Sequence, residues 1–301
     1  MIELIEELLV ENKLIDNPGK AAFDIIFTTG SCLLLNAFIN NDQFYHFKVT
    51  EIDDLYPEYQ LYQEARELFG DYTPNIIGFL RKNGWDIVLT EGVHHRVLSP
   101  ARLIEDKSNL TQQIINFLKL MTAKGGPPAS KNRHNDFIQE LYDHFSSTQF
   151  AHVIEPWLNN SKIESLPYIR QHGDFAVNNI AESGSKLIIF DWEDFGKVAL
   201  PGFDLCILLA SVLRYDDREI LAFIRDPKSK YSTLSNLLDH SKEVAGIAPS
   251  LFKELIPLYL TIFLYLKKDY GTSIQKNVGD LISLLDNIRE DAMPGQYSAL
   301  P

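Results

Sequence analysis

His172-Gly173-Asp174 is followed by Asn179, five residues after the aspartate, and then by the apolar run Leu187-Ile188-Ile189-Phe190, which ends in Asp191. A loop carrying Asp and Asn, paired with an aspartate at the end of a buried strand, suits phosphoryl transfer. That chemistry needs a carboxylate to accept or orient the attacking hydroxyl, and hard oxygen ligands to hold magnesium against nucleotide phosphates. The strand fixes one ligand rigidly, while the loop leaves the base open to substrate.

The pattern resembles the catalytic loop and metal-binding strand of the aminoglycoside phosphotransferase and choline kinase family. Pro201-Gly202-Phe203-Asp204-Leu205 is similar to the helix start that follows in that family. The resemblance implies a two-lobed protein-kinase-like fold, with ATP or GTP as donor and Mg2+ as cofactor. It implies Asp174 as the catalytic base, Asn179 and Asp191 as magnesium ligands, and the hydroxyl of a small molecule such as an aminoglycoside, an amino-alcohol or a sugar as acceptor. Asp194-Phe195-Gly196 spells the metal motif of protein kinases three residues further on. Asp191 is preferred because it directly follows the strand, and Asp194 is read as coincidence. Glu193 alternates with Asp191 if the chain stays extended, which puts it either in the metal shell or facing solvent or substrate.

Nearer the N-terminus, the strand Phe44 to Thr50 carries Lys48 at its centre, and a lone lysine within an apolar strand needs a counter-charge or a phosphate partner. By the resemblance Lys48 grips the nucleotide phosphates and pairs with a helix carboxylate. The helix from Pro57 to Phe69 offers Glu64 and Glu67; Glu64 is favoured because it shares a face with Leu61 and Leu68, which should pack inward. Gly30 and Ser31 are the phosphate-loop candidates, through backbone amides and the Ser31 hydroxyl, although Gly30 serves equally to turn a hairpin. By position, Val88 to Val93 is the strand that joins the lobes, with backbone groups of Glu91 and Val93 pairing with adenine.

These residues must be placed by a scaffold whose periodicity is readable. Three strands over Phe23–Thr29, Cys32–Ile39 and Phe44–Thr50, then the helix from Pro57, then Ile76–Leu80 and Asp86–Thr90 joined at Asn83-Gly84, make an antiparallel five-stranded sheet with one main helix. From Ala101 helical periodicity dominates, with strand character returning around Tyr168–Gln171 and Leu187–Phe190. The expected class is α+β, with a nucleotide-binding lobe over residues 1–92 and a mainly α-helical catalytic and substrate-binding lobe over 93–301.

Composition narrows the partners. The 28 Lys and Arg against 41 Asp and Glu give a formal net charge of −13, which repels nucleic acid and anionic membranes and suits a cationic acceptor. Cys32 and Cys206 have no partner motif, so a reducing, cytoplasmic setting is expected. Met1 to Leu14 reads as an amphipathic helix rather than an export signal, and Leu255 to Leu266 as a buried core helix rather than a membrane span. His94-His95 reads as surface. The aromatic stripe Tyr259, Phe263, Tyr265 and Tyr270 reads as core, or as the wall of a cation pocket. Two other functions fit the same residues. A protein kinase is disfavoured because His172-Gly173-Asp174 lacks the arginine that reads activation-loop phosphorylation, and nine residues between Asp191 and Pro201 leave no room for a long activation segment. An inactive nucleotide-binding scaffold is disfavoured because it would have no need of the whole polar set.

Overall fold

The structure, a computed structural model, describes residues 1–27, 32–40, 43–94, 96–105, 109–126, 134–226, 231–268 and 272–292. The phosphate-loop candidates Gly30 and Ser31 lie outside the described residues, as do His95 and Tyr270. The chain divides into two compact units. The first is Met1–Val97 together with Ile180–Glu193 and the second is Leu98–Asn179 with Asp194–Pro301, whereas the sequence reading divides at residue 92.

In the first unit helix α1 (Ile2–Glu11) precedes strands β1 (Ala22–Phe27), β2 (Leu33–Phe38) and β3 (Phe44–Thr50), helix α2 (Tyr56–Phe69), and strands β4 (Ile76–Lys82) and β5 (Trp85–Glu91). These strands form the expected five-stranded antiparallel sheet in the order β1-β2-β3-β5-β4, with β3 at its centre. Asn83 and Gly84 both have positive φ, 54° and 82°, as a two-residue hairpin turn between right-twisted strands requires. Alternation along β3 sends Tyr45, Phe47 and Val49 into a core with Leu4, Ile5, Leu8 and Leu9 of α1 and with Ile87 and Leu89 of β5. Because strand side chains alternate, Lys48 emerges on the opposite face from that core. A second sheet, β6-β7-β8, joins β6 (Arg96–Val97), β7 (Ile180–Ser183) and β8 (Lys186–Ile189). The sequence reading found β8 but not β7, whose Ile-Ala-Glu-Ser run is too short and mixed to show a period.

The second unit is helical: α3 (Pro100–Ile104), α4 (Leu110–Lys124), α5 (His134–Phe145), α6 (Ala151–Ile154), α7 (Ser161–Glu164), α8 (Phe203–Val212), α9 (Asp217–Arg225), α10 (Ser232–Asp239), α11 (Ser241–Ala245), α12 (Pro249–Leu266) and α13 (Thr272–Ala292). The helical stretch that opens near Ala101 is two helices, α3 and α4, with Asn109 left-handed at φ 68° just before α4. Every residue of α8 is buried, which fits a helix apolar on all sides at the middle of a core. Helix α12 is long and apolar enough to cross a membrane by length and composition, with a mean hydropathy of 1.3, and 61% of it is buried in the protein. Tyr168–Gln171, expected as a strand, forms no ladder. It is tied instead by Ile169 N–H to Ala199 O at 3.1 Å and Gln171 N–H to Val198 O at 2.9 Å, which makes it an extended lead-in to the His172 loop.

The start of α2 is held by a residue from elsewhere in the sheet. Leu55 at the helix N-cap has no side-chain acceptor, so its backbone N–H donates to Asp86 Oδ2 on β5 at 3.0 Å, while Arg81 grips both oxygens of Asp86 at 2.6 Å. The arginine hydrogen bonds hold the Asp86 carboxyl below the ordinary aspartate pKa. Asp86→Ala should therefore cost roughly 1–3 kcal/mol in denaturant unfolding, because it strips a buried carboxylate from an N–H and an arginine at once. The sign with pH follows from the depressed folded pKa. The contribution is complete above the unfolded value near 4 and fades as pH falls through the folded one, so Asp86→Asn should flatten stability against pH below about 4.

Candidate active site

Lys48 sits between Leu34 of β2 and Val88 of β5 in the ladder. Its Nζ lies 2.7 Å from Glu58 Oε2 and 3.0 Å from Glu193 Oε2. Burial pulls the lysine pKa down, but the two carboxylates outweigh burial and hold the ammonium above its usual value. The expected pairing with Glu64, or with Glu67, is therefore corrected: the helix partner is Glu58. At 100° per residue, Glu58, Tyr62, Ala65 and Phe69 fall within about 60° of arc, and Glu64 lies roughly 120° round from Glu58. Ala65 and Phe69 are the buried residues of α2, so the inward face is theirs rather than that of Leu61 and Leu68. Glu64 is half-buried and Glu67 exposed.

That same face carries Tyr62, which sequence reasoning missed although it stands one turn from Glu58. Its hydroxyl accepts the backbone N–H of Asp191 at 2.9 Å. Burial, with the charges of Asp191 and Glu58, pushes the phenol pKa up, so the hydroxyl stays protonated. Asp191 follows β8 with φ 63°, a left-handed conformation that a non-glycine residue adopts at a cost. The chain then closes a short 3-10 turn at Trp192–Asp194, and Trp192 stacks on Phe69 with ring centroids 5.3 Å apart. Glu193 therefore does not continue an extended strand beside Asp191. The turn delivers it to Lys48 instead.

In the second unit the loop His172-Gly173-Asp174 hangs from one buried carboxylate. Asp204, 1% exposed in the first turn of α8, takes the N–H of His172 on Oδ2 at 2.6 Å and that of Gly173 on Oδ1 at 3.0 Å. Burial pushes its pKa up to about 7 against the pull of these donors, and the charge of Asp174 adds to the rise. Asp174 N–H donates to His172 Nδ1 at 3.2 Å, so the proton of a neutral His172 ring belongs on Nε2. Asn179 Nδ2 donates to the Asp174 carbonyl at 2.9 Å, which reserves its Oδ1 as the acceptor atom, and Asn178 Nδ2 is 2.9 Å from that oxygen. The Asp174 side chain is 14% exposed, with Oδ2 3.1 Å from Lys267 Nζ. Burial raises its pKa and Asp194 adds to the rise, while Lys267 opposes it.

Asp194, whose match to the protein-kinase metal motif reads as coincidence in the sequence, is held in an ion-pair cluster. Its Oδ2 lies 2.8 Å from Lys267 Nζ and its Oδ1 2.7 Å from Lys197 Nζ, and the side chain is 5% exposed. Burial disfavours its charge, yet Lys267 and Lys197 together keep its pKa below the ordinary value. Of the adenine-contact candidates, Glu91 ends β5 with its N–H on the Asn75 carbonyl at 2.8 Å, and Val93 lies two residues beyond. The structure thus gathers Lys48, Asp191 and Glu193 with Glu58 and Tyr62 in one unit, and Asp174, Asn179 and Asp194 with Asp204 and Lys267 in the other.

If Lys48 and Glu58 act as one unit, their losses do not add. A double-mutant cycle of Lys48→Ala and Glu58→Ala, read by denaturant unfolding, should show coupling of about 0.5–3 kcal/mol. The same cycle with Glu67→Ala should be additive within roughly 0.5 kcal/mol.

No family model matches the sequence, and no curated protein matches it. Solved structures do match across nearly the full chain. A thermostable mutant of the aminoglycoside phosphotransferase APH(4)-Ia, in ternary complex with ADP and hygromycin B, superposes with a TM-score of 0.62 at 12% identity, covering 97% of this chain and 99% of its own. Choline kinase from Cryptosporidium parvum Iowa II gives 0.59 at 13% identity, over 97% of this chain and 96% of its own. The GDP and kanamycin complex of APH(2")-IIia gives 0.59 at 12%, over 97% and 100%. The fold of this chain is the two-lobed α+β kinase-like fold of the aminoglycoside phosphotransferases and choline kinases.

Proposed function

We propose that the protein transfers the γ-phosphate of ATP, or of GTP, to a hydroxyl of a cationic small molecule, using Mg2+. The observation that carries this reading is the presentation of Asp174, a half-buried carboxylate on a loop whose backbone is held by Asp204 and by Asn179. The fold adds support, since solved structures that share it hold ADP with hygromycin B and GDP with kanamycin.

The donor set suits the cofactor. Asn179 Oδ1 in one unit and the Asp191 carboxylate in the other are each hard oxygen donors of the kind that would hold magnesium. Among the described residues no cluster of three or more His, Cys, Asp or Glu side chains is placed to hold a metal alone. A magnesium shared with nucleotide phosphates needs none. When bound, the ion neutralises charge on the phosphates. Lys48, kept cationic by Glu58 and Glu193, binds phosphate oxygen, and the Glu91 carbonyl and Val93 backbone remain the proposed adenine contacts. Asp174 takes the proton of the acceptor hydroxyl as the new O–P bond forms and the bond from the γ-phosphorus to the bridging oxygen breaks, with that electron pair leaving on the nucleoside diphosphate.

For the acceptor, the second unit offers a cavity of about 740 Å³ lined by Glu105, Asp216, Asp217, Glu219 and Asp280, with Arg214 as the cation and Tyr215 and Tyr231 as aromatic surface. Tyr215 of this wall stacks on Phe263 with ring centroids 5.8 Å apart, and burial, with the charge of Asp174, pushes its phenol pKa up. A cationic amine is the chemistry that such a wall attracts.

The test is an ATP-consumption screen with Mg2+ against aminoglycosides, amino-alcohols and sugars. Asp174→Asn should lower transfer by about 100-fold or more with nucleotide affinity retained, and near-normal turnover would sink the base assignment. Asp191→Ala should abolish magnesium-dependent nucleotide binding in calorimetric titration. Asp217→Asn and Asp280→Asn should each raise KM for a cationic acceptor by about 2- to 5-fold with kcat unchanged, the scale of a solvent-screened charge. A neutral sugar taken up equally well by both variants would remove the cationic part of the reading.

A further inference from the structure

Lys267 was not among the residues that the motif pointed to, and it lies 93 positions beyond Asp174 in the chain. It follows the end of α12, its N–H bonded to Phe263 O at 3.0 Å, and Gln275 of α13 donates to the carbonyls of Lys267 at 3.4 Å and Lys268 at 2.8 Å. Its side chain is 6% exposed. A lysine is seldom buried unless it is paired, and this one meets two carboxylates, Asp174 at 3.1 Å and Asp194 at 2.8 Å. Lys197 on the second oxygen of Asp194 brings the cluster to two cations and two anions, so it carries no net charge.

Asp194 is also part of the bed on which the base-bearing loop rests. A Cβ at Gly173, where φ is 91°, would come within 2.5 Å of Asp194 Cβ and 2.6 Å of its carbonyl oxygen, so only glycine lets the two segments approach this closely. Two residues on, Gly196 returns its N–H to the Gln171 carbonyl at 2.9 Å, and Phe195 lies under the Arg170 guanidinium at 4.9 Å. Asp194-Phe195-Gly196 thus braces the approach to His172 from beneath and holds a lysine against Asp174.

We propose that Lys267, anchored by Asp194, is a positioning residue for the phosphoryl-transfer base, fixing Asp174 Oδ2 so that Oδ1 is the oxygen that meets the acceptor hydroxyl. The inference rests on the reading of Asp174 as base. The lysine acts through Asp174, so its removal changes turnover rather than nucleotide binding. An ion pair that served stability alone would change only the folded fraction.

The experiment uses the full chain with Mg-ATP and water as acceptor, reading slow ATP hydrolysis, so that it needs no knowledge of the natural acceptor. Lys267→Met should lower kcat by about 10- to 100-fold, the cost of a base displaced by about an ångström, with KM for ATP unchanged. Lys267→Arg should recover most of the loss. Lys267→Met added to Asp174→Asn should cost nothing further. The double variant Asp194→Asn with Lys267→Met removes both charges of the pair; should the single variant fail to fold, the double variant carries the same expectation. No ATP turnover by the unaltered protein, or normal turnover in Asp174→Asn, overturns the functional reading and the proposal with it. An inactive Asp174→Asn alongside folded Lys267 variants of unchanged kcat overturns the role of Lys267 alone.

Discussion

The carboxylate of Asp204 takes the N–H groups of His172 and Gly173, two donors in a segment that belongs to no helix or ladder. A buried backbone donor without a partner costs about 1–3 kcal/mol, so a loop that must leave regular structure to present a carboxylate has to be satisfied from outside. Helix α8 supplies that acceptor in its first turn, and its own position is secured by burial on every side. The order of dependence runs from an apolar helix, to one buried carboxylate, to two backbone donors, to the placement of Asp174. Asn179 and Lys267 then act on a loop whose path is already determined.

The first unit solves a different problem with the same economy of parts. A lysine on the central strand of a five-stranded sheet cannot stay unpaired on a half-buried face, and α2 places Glu58 where it can respond. The helix is set by Asp86 at its start and by Phe69 against Trp192 at its end. Tyr62, between them, ties the helix to the backbone of Asp191. Lys48 and Asp191 are therefore both tied to α2, through Glu58 and through Tyr62.

The sequence was legible where a period or a spacing recorded the physics. The five strands and Asn83-Gly84 leave such a trace, and so does the spacing on which Asp174, Asn179 and Asp191 are proposed as the site. Which face of α2 turns inward was misread, because Leu61 and Leu68 are the more apolar pair, while the structure buries the small Ala65 and the stacked Phe69. Strand β7 was missed because four residues are too few to show alternation. The partner of Glu193, Lys48, was not legible because no sequence signal announces the left-handed aspartate that turns the chain before it. Lys267 was invisible for a more general reason. A partner 93 residues away is joined by the fold and by nothing in the local pattern.

The left-handed backbone of Asp191 has an evolutionary consequence. Glycine occupies φ near 63° without strain, and asparagine tolerates it better than most residues, so the position carries a standing bias away from its carboxylate. On the proposed reading of Asp191 as a magnesium ligand, selection for heat resistance alone would favour yielding to that bias, and selection for turnover would oppose it.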